Sequence, residues 1–372
     1  MPSANDPPAV SVIVPARNEE AFLASCVNSL LAQDGVTFEI IIVDDHSTDR
    51  TREIACSFST ARGKAERSKA ARSPAAQVKT QVRVIQAGTL PAGWTGKNNA
   101  VTAGANTARG QWLLFTDADT VHLPGSLARS IAEATRQHAA MLSYSPEQIV
   151  KSFSEKAVMP VIFAELAASF RPIHVSDPKS PAAAANGQYI LITREAYDAV
   201  GGHATIATNL LEDVALARAV KRSGRKIFFR FGGDAVRTRM YRSFTQLREG
   251  WTKNLALLFP SPIRLAALRA IEFILIVSTF GITVTSALRG HSRPALASGM
   301  LCLALYTFFL LRIRRAHFAW DANILAPLGL PLFSYLLLRS KRAHDNGDVR
   351  WKGRTYSDKT CLLATGHLTI GS

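Results

Sequence analysis

The chain predicts an α/β domain with a mostly parallel sheet flanked by helices, followed by a C-terminal helical membrane region. Three observations carry this. Short apolar runs alternate with helix-spaced segments, several of those runs stop at acidic residues, and after residue 240 the chain turns to long apolar stretches with few charges. Strands alternating with helices build a parallel sheet, and ligands gather at the carboxyl ends of its strands.

Taken in order, residues 10–15 (VSVIVP) are an apolar run closed by proline, the pattern of a buried strand. Residues 20–32 place Phe22, Leu23, Cys26, Val27, Leu30 and Leu31 at helical spacing. A second strand covers 38–43 (FEIIIV) and stops at Asp44-Asp45, and a helix begins near Asp49. Residues 82–86 form a third strand, 98–108 a helix and 111–116 a fourth strand, which runs into Asp117-Ala118-Asp119. Residues 57–80 carry six cations against one acid, Glu66, with no apolar stripe, and read as a solvated basic insertion.

Apolar stretches then follow at 271–288, with one acid (Glu272), at 294–311, with no charge, and at 322–338, broken by Pro327 and Pro331. About 20 apolar residues cross a bilayer, so the first two suit spans and the third is short. Arg312, Arg314 and Arg315 outweigh Arg289 and Arg293, which puts the 312–315 loop and the N-terminal domain in the cytoplasm. A full third span would carry the cations of 339–354 outside, against that tendency. A re-entrant third segment keeps them inside.

Composition narrows the functional classes. Among 372 residues, 44 are Lys or Arg and 28 are Asp or Glu, so the net charge is +16; 47% are apolar. Such a chain is too apolar for general disorder. Cys26, Cys56, Cys302 and Cys361 lie far apart, with no zinc or redox spacing. The positive charge points to an anionic partner. No zinc-finger or RNA-binding signature accompanies it, and the apolar C-terminal third favours lipid over nucleic acid. Residues 10–15 are too short to act as a secretory leader.

Four polar sites carry candidate chemistry. Asp44-Asp45, after a buried strand, can accept from a nucleobase N–H or a ribose hydroxyl, and Asp and Ser there also serve as turn and cap residues. Asp117 and Asp119, two residues apart, can approach one small cation. Hard oxygen ligands suit Mg²⁺ or Mn²⁺, which bridge a diphosphate. Glu212-Asp213 opens a helix, where the dipole favours acids and where one carboxylate can deprotonate an acceptor hydroxyl. Gln246, Arg248 and Trp251 just precede the apolar region, as acceptor-side groups or as anchors of an interfacial helix.

The succession V-S-V-I-V-P-A-R-N-E-E, V-D-D-H-S-T-D, G-W-T-G-K-N, F-T-D-A-D, L-E-D-V-A-L-A and G-W-T-K-N over about 9–258 resembles family 2 glycosyltransferases of the GT-A fold. G-W-T-G-K-N, M-Y-R-S-F, G-W-T-K-N and W-K-G-R-T-Y are similar to the bacterial carotenoid- and hopanoid-associated branch. The resemblance implies that Pro15, Ala16, Arg17 and Glu19 border the uracil and ribose, and that Asp45 reads the uracil N–H. It puts Lys97 by the diphosphate and Asp117 near ribose and metal. It makes Asp119 the direct ligand of Mg²⁺ or Mn²⁺ and Asp213 the general base. Glu212, Gln246, Arg248 and Trp251 fall on the acceptor side. Processive members carry Q-x-x-R-W, whereas here Gly250 precedes Trp251, which argues against polymer synthesis.

The expected organisation is a tail at 1–8 and a GT-A domain at 9–240, with the insertion at 57–80. An interfacial linker at 241–268, transmembrane helices over 269–340 and a basic tail at 341–372 complete it. The expected function is inverting transfer of a sugar from a nucleotide sugar, UDP-linked, to a lipid or isoprenoid acceptor. The location is the inner or plasma membrane, with the catalytic domain cytoplasmic. The rivals are a polyprenyl-phosphate glycosyltransferase and a non-catalytic nucleotide-binding membrane scaffold.

Overall fold

A computed structural model describes residues 7–59 and 80–356, so most of the basic insertion and the end of the C-terminal tail lie outside the described residues. The chain divides into two compact units. Among the described residues the first comprises the chain up to Glu147 together with Pro172–Arg239, and the second comprises Gln148–Arg171 together with the chain from Met240 onward.

The first unit opens with β1 (Val10–Ala16), α1 (Leu23–Leu31), β2 (Phe38–Asp44), α2 (51–59), β3 (Gln81–Gln86), α3 (Gly96–Thr107) and β4 (Trp112–Phe115). There follow β5 (Thr120–His122), α4 (Ser126–Arg136), β6 (Met141–Ser145) and the two-residue β7 (Glu147–Gln148). The chain then passes through α5 (Phe153–Ser169) of the second unit. It returns as α6 (Pro172–Ser176), β8 (Ile190–Thr193), α7 (Arg194–Ala199), α8 (Glu212–Arg222), β9 (Ile227–Phe231) and β10 (Val236–Thr238).

Seven strands form one sheet in the order β3-β2-β1-β4-β8-β6-β9. β1 runs parallel to β2 and β4, β2 to β3, and β6 to β9. β8 alone runs against its neighbours β4 and β6. Every residue of β2 is buried, and its centre, Ile40–Val43, is wholly apolar, as a parallel strand covered on both faces requires. α1 lays Leu23, Cys26, Val27 and Leu30 on the sheet at the spacing that puts one helix face inward. The fold is therefore the mostly parallel α/β sheet with flanking helices that the sequence predicts.

The amino ends of these strands are tied by a buried charge. Glu39, 1% exposed, accepts from Ser11 Oγ at 2.7 Å and from the Arg109 backbone N–H at 2.8 Å. Arg83 Nη2 lies 3.0 Å away. Burial alone would raise this carboxyl; the Ser11 and Arg109 donors and the Arg83 cation outweigh it and hold Glu39 below its ordinary value. Gly110 passes so close to β1 that a Cβ there would sit 2.5 Å from Ser11 N and 2.7 Å from Val10 C. Both atoms are backbone and cannot turn aside. Gly110→Ala is expected to cost about 1–3 kcal/mol, read as a lower denaturation midpoint.

The second unit is helical. α5 begins with a capping box in which Ser152 and Glu155 satisfy each other's backbone N–H groups. α9 (Phe244–Leu258), α10 (Pro262–Leu288), α11 (Ser292–Ile313), α12 (Trp320–Leu325) and α13 (Gly329–Asp345) follow, and the hairpin β11 (Val349–Trp351) and β12 (Arg354–Tyr356) closes the described chain. Leu247, Trp251, Leu255, Phe259, Phe309 and Phe333 centre its core. Among the described residues three helical stretches are long and apolar enough to cross a membrane: Pro262–Leu288, Ser292–Ala316 and Trp320–Asp345. They differ in burial, with 17%, 6% and 50% of their apolar windows covered by protein.

Candidate active site

The site is assembled at the carboxyl ends of β1, β2 and β4, where the strand order reverses from β2-β1 to β1-β4. Crevices at such a reversal are where open α/β sheets bind ligands. Pro15 and Ala16 end β1, and Asp44 ends β2 opposite Ala16. The loops that follow are laced together. Arg17 Nη1 donates to the Asp45 carbonyl at 2.6 Å, the Glu19 backbone N–H to Thr51 Oγ1 at 2.7 Å, and the Thr48 N–H to Asn18 Oδ1 at 2.9 Å. Asn18 and His46 hold left-handed backbone, φ 53° and 54°, which this tight crossing requires. Asp45 is 3% exposed.

Beside these loops stands a cluster of charged groups drawn from distant parts of the chain. Lys97 Nζ, on the first turn of α3, lies 2.7 Å from Asp117 Oδ1 and 2.7 Å from Glu212 Oε1. Burial alone would lower the ammonium; its two carboxylate partners overcome that and push it well above its ordinary value, so Lys97 is a permanent cation. Asp213, next to Glu212 in the first turn of α8, accepts from the Gly187 N–H at 3.0 Å and from the Val214 N–H at 2.8 Å. Burial, then the Glu212 charge, pushes Asp213 up to about 6, while Lys97 pulls it down. A Cβ on Gly187 would come 2.9 Å from Lys97 Nζ and 3.2 Å from Glu212 Oε1, so a larger residue there would press on this ion pair.

The Asp117–Asp119 turn is held from behind by hydroxyls. Thr120 Oγ1 donates to the Asp117 carbonyl at 2.7 Å and Thr238 Oγ1 to the Asp119 carbonyl at 3.2 Å. His122 Nε2 lies 3.1 Å from Thr116 Oγ1; burial pushes this imidazole down to about 3, so it is neutral. The Cys26 thiol, near the same turn, is pushed up to about 12 by burial first and by Asp119 and Asp117 among its neighbours, and is no nucleophile. Burial likewise pushes His203, bonded to Tyr197 Oη, down to about 4.

No trio of His, Cys, Asp or Glu that could hold a metal by itself occurs among the described residues. The donors at 117 and 119 are carboxylates on one turn. Such hard oxygen donors would suit Mg²⁺ or Mn²⁺, cations that take one or two carboxylates alongside substrate phosphates.

Of the residues that the sequence singles out, the structure brings Lys97, Asp117, Glu212 and Asp213 together and laces the 15–19 and 45–51 loops. Gln246, Arg248 and Trp251 belong to α9 in the second unit. Gln246 Oε1 accepts from the Arg242 N–H at 2.9 Å and caps the helix. Trp251 corrects the expectation of an acceptor-lining or interfacial ring. It is 2% exposed, donates from Nε1 to Met159 Sδ and packs edge-on against Phe163 and Tyr241, because the apolar face of α9 is covered by α5 and α13.

Sequence reasoning misses Asn98. Fully buried, its Nδ2 donates to the carbonyls of Ile206, Ala207 and Asn209 at 3.1, 2.9 and 3.1 Å, and so fixes the turn that leads into Glu212-Asp213. Its place beside Lys97 in G-W-T-G-K-N was the available signal. Gly187 and Thr238 carried none.

Comparison with known proteins places this fold among sugar-transfer enzymes. The model of glycosyl transferase family 2 matches residues 11–200, and the chain belongs to that family. Asp213 lies beyond the matched segment. Among relatives, the 4,4'-diaponeurosporenoate glycosyltransferase of Staphylococcus aureus is 27% identical over 251 residues, 67% of this chain and 61% of the relative. The enzyme of the same name from Staphylococcus haemolyticus is 30% identical over 254 residues, 66% of this chain and 61% of the relative. The match thus spans less than two thirds of those proteins. A mannosyltransferase of Pyrobaculum calidifontis, solved with GDP-Man and Mn²⁺, shares the GT-A fold at TM-score 0.50 and 16% identity, covering 92% of this chain and 88% of its own.

Removing the Asn98 clamp loosens the Glu212-Asp213 turn. Asn98→Ala is expected to cost about 1–3 kcal/mol, and Asn98→Asp more, since a carboxylate would face three carbonyl oxygens. Chemical denaturation of the two variants checks the order.

Proposed function

We propose that this protein is a membrane-associated inverting glycosyltransferase that moves a sugar from a UDP-linked donor to a lipid or isoprenoid acceptor. The observation that carries the reading is the Lys97–Asp117–Glu212–Asp213 cluster at the carboxyl edge of the sheet. It offers a fixed cation for a diphosphate and a carboxylate of raised pKa for a proton.

In this reading Pro15, Ala16, Arg17 and Glu19 border the nucleoside, and Asp45 accepts from the uracil N–H. Asp117 and Asp119 would hold Mg²⁺ or Mn²⁺, which supplies Lewis-acid stabilisation of the departing diphosphate. Lys97 adds a point charge on the same oxygens. Asp213 takes the proton from the acceptor hydroxyl as that oxygen bonds to the sugar C1. The bond from C1 to the phosphate oxygen breaks on the opposite face, its electron pair leaves with UDP, and the anomeric centre inverts. Glu212, Gln246 and Arg248 are the acceptor-side groups. The kinship with glycosyltransferases named for a carotenoid acid, and the two helices with 17% and 6% of their apolar windows covered, support a lipid acceptor and a membrane location. The excess of Arg312, Arg314 and Arg315 over Arg289 and Arg293 supports a cytoplasmic catalytic unit.

The test is UDP release by detergent-solubilised protein with Mn²⁺ or Mg²⁺, a panel of UDP- and GDP-sugars, and lipid extract. Donor-selective release that needs the extract is expected. Dependence on added polyprenyl phosphate would transfer the reading to that acceptor, and phenotypes indifferent to Asp119 and Asp213 substitutions would favour a scaffold.

Asp213→Asn is expected to lower the rate on a hydroxyl acceptor on the order of 10²–10⁴-fold. A loss under tenfold in folded protein would remove Asp213 as the base.

A base must be unprotonated, so the rate should fall as pH drops through about 6 and level off above it. Lys97→Met removes the charge that pulls Asp213 down, and the acidic limb should move to higher pH. An unmoved limb in the pH–rate profile would uncouple the two groups.

A further inference from the structure

The third apolar stretch, Trp320–Asp345, is long enough to cross a membrane, yet its packing ties it elsewhere. Gly329 at the start of α13 rests directly on α5: a Cβ there would lie 2.0 Å from the Ala157 carbonyl oxygen. Ser334 Oγ donates to the Ala266 carbonyl, near the beginning of α10, at 2.9 Å. Ser340 Oγ donates to the Thr252 carbonyl of α9 at 2.6 Å and accepts from the Ala256 N–H at 2.8 Å. His344 Nε2 lies 2.9 Å from the Lys253 carbonyl, and Lys253 Nζ stands 5.5 Å over the Trp351 ring. Upstream, Lys156 on α5 pairs with Asp321 on α12 at 2.7 Å, and Phe163 meets Phe318. From 318 to 351 the chain therefore follows α5, α9 and the first turns of α10.

Chain connectivity fixes the side on which those partners lie. The chain leaves the catalytic unit after Glu147 and re-enters it at Pro172, so both ends of α5 are on the catalytic side of a bilayer. A 17-residue helix cannot cross and return. The N-cap of α9, Ser243, comes four residues after Arg239, where this part of the catalytic unit ends.

The other two helices behave differently. Arg312 Nη2 lies 2.8 Å from Glu272 Oε2, and Arg269 Nε 3.3 Å from Glu165 Oε1 of α5, so one belt of charge joins α10 and α11 to α5. Beyond the belt, 273–288 of α10 and 294–311 of α11 carry no charge. At about 1.5 Å per residue these run ~24 and ~27 Å, close to the ~30 Å hydrocarbon core.

Resting on the membrane reading above, we propose that only α10 and α11 cross the bilayer, and that 320–345 lies in the plane of its catalytic-side surface. The lipid-facing side is the exposed stripe Trp320, Ile324, Leu328, Tyr335 and Leu338, from 75% to 43% exposed, with Trp and Tyr at the headgroup level that suits them. The opposite side, Leu330, Phe333, Leu336 and Leu337, is buried in the second unit. The cations at 339, 341 and 342 then meet anionic headgroups, and the chain from Asn346 onward returns to the catalytic side. A span and a re-entrant loop are both replaced by an in-plane helix.

The test uses full-length protein in its native membrane, with its four cysteines changed to alanine and one cysteine restored at His291→Cys or Asn346→Cys. A membrane-impermeant maleimide is applied to sealed cells and to broken cells. The expected result is labelling at 291 from outside and labelling at 346 only after breakage. Labelling at 346 from outside overturns the proposal and restores a third span. If neither site labels from outside and alkaline carbonate strips the protein from the membrane, the membrane reading itself fails. For depth, reconstituted protein is compared with its Trp320→Phe variant in bilayers brominated near the headgroup or deep in the chains. The variant should lose quenching by the shallow bromines. Quenching of Trp320 chiefly by deep bromines would overturn the in-plane placement.

Discussion

One ammonium group organises the catalytic unit. Lys97 reaches the carboxylates of Asp117 and Glu212 at once, and so binds the end of β4 to the start of α8 through the first turn of α3. Like charges converging on one pocket repel, and without a cation between them these acids could not share so small a space. The Lys97 charge is thus both structural and electrostatic: it holds the acids in place and tempers the rise in the pKa of Asp213. Asn98, the next residue, clamps the backbone that carries Glu212 and Asp213. One helical turn therefore sets the position and the chemistry of the acids opposite it.

The sheet separates holding from reacting. Its amino end is closed by Glu39, which accepts from Ser11 Oγ and from the Arg109 N–H. Its carboxyl end carries Asp117, Asp213 and the laced loops after β1 and β2. Family 2 membership gives the chain its general class, sugar transfer. The raised pKa of Asp213 and the permanent charge of Lys97 are properties of this chain's own packing.

Much of the fold is legible in the sequence for a simple reason. β1, β2 and β4 are buried along most of their length and read as largely apolar runs, with acids marking the ends of β2 and β4, whereas the edge strand β3 is only partly buried and shows as a shorter alternation. β8 is harder to read: four residues long, it runs against its neighbours, and no periodicity announces direction. The candidate site is legible as paired acids, but the spacing of 97, 117 and 212 in the chain cannot reveal that one lysine joins them. Trp251 shows the converse. An indole near an apolar region suggests an interface, yet what covers a helix face is a tertiary matter, and here the cover is the second unit's own core. The third apolar run likewise has the composition of a span, and it is its serines and Gly329, seated on neighbouring backbones, that set its course.

The route of α5 has a consequence for how the molecule can be divided. This helix is encoded in the middle of the catalytic unit, but Val158, Val161 and Ile162 find their cover in segments made much later, from Met240 onward. During synthesis the described residues of the catalytic unit are all made by Arg239 while α5 still presents an uncovered apolar side, which invites chaperones or the membrane itself to act as a temporary partner. A truncation at residue 240, the natural choice for a soluble enzyme, would make that exposure permanent. A soluble form calls for recoding the apolar side of α5 as well as removing the C-terminal helices.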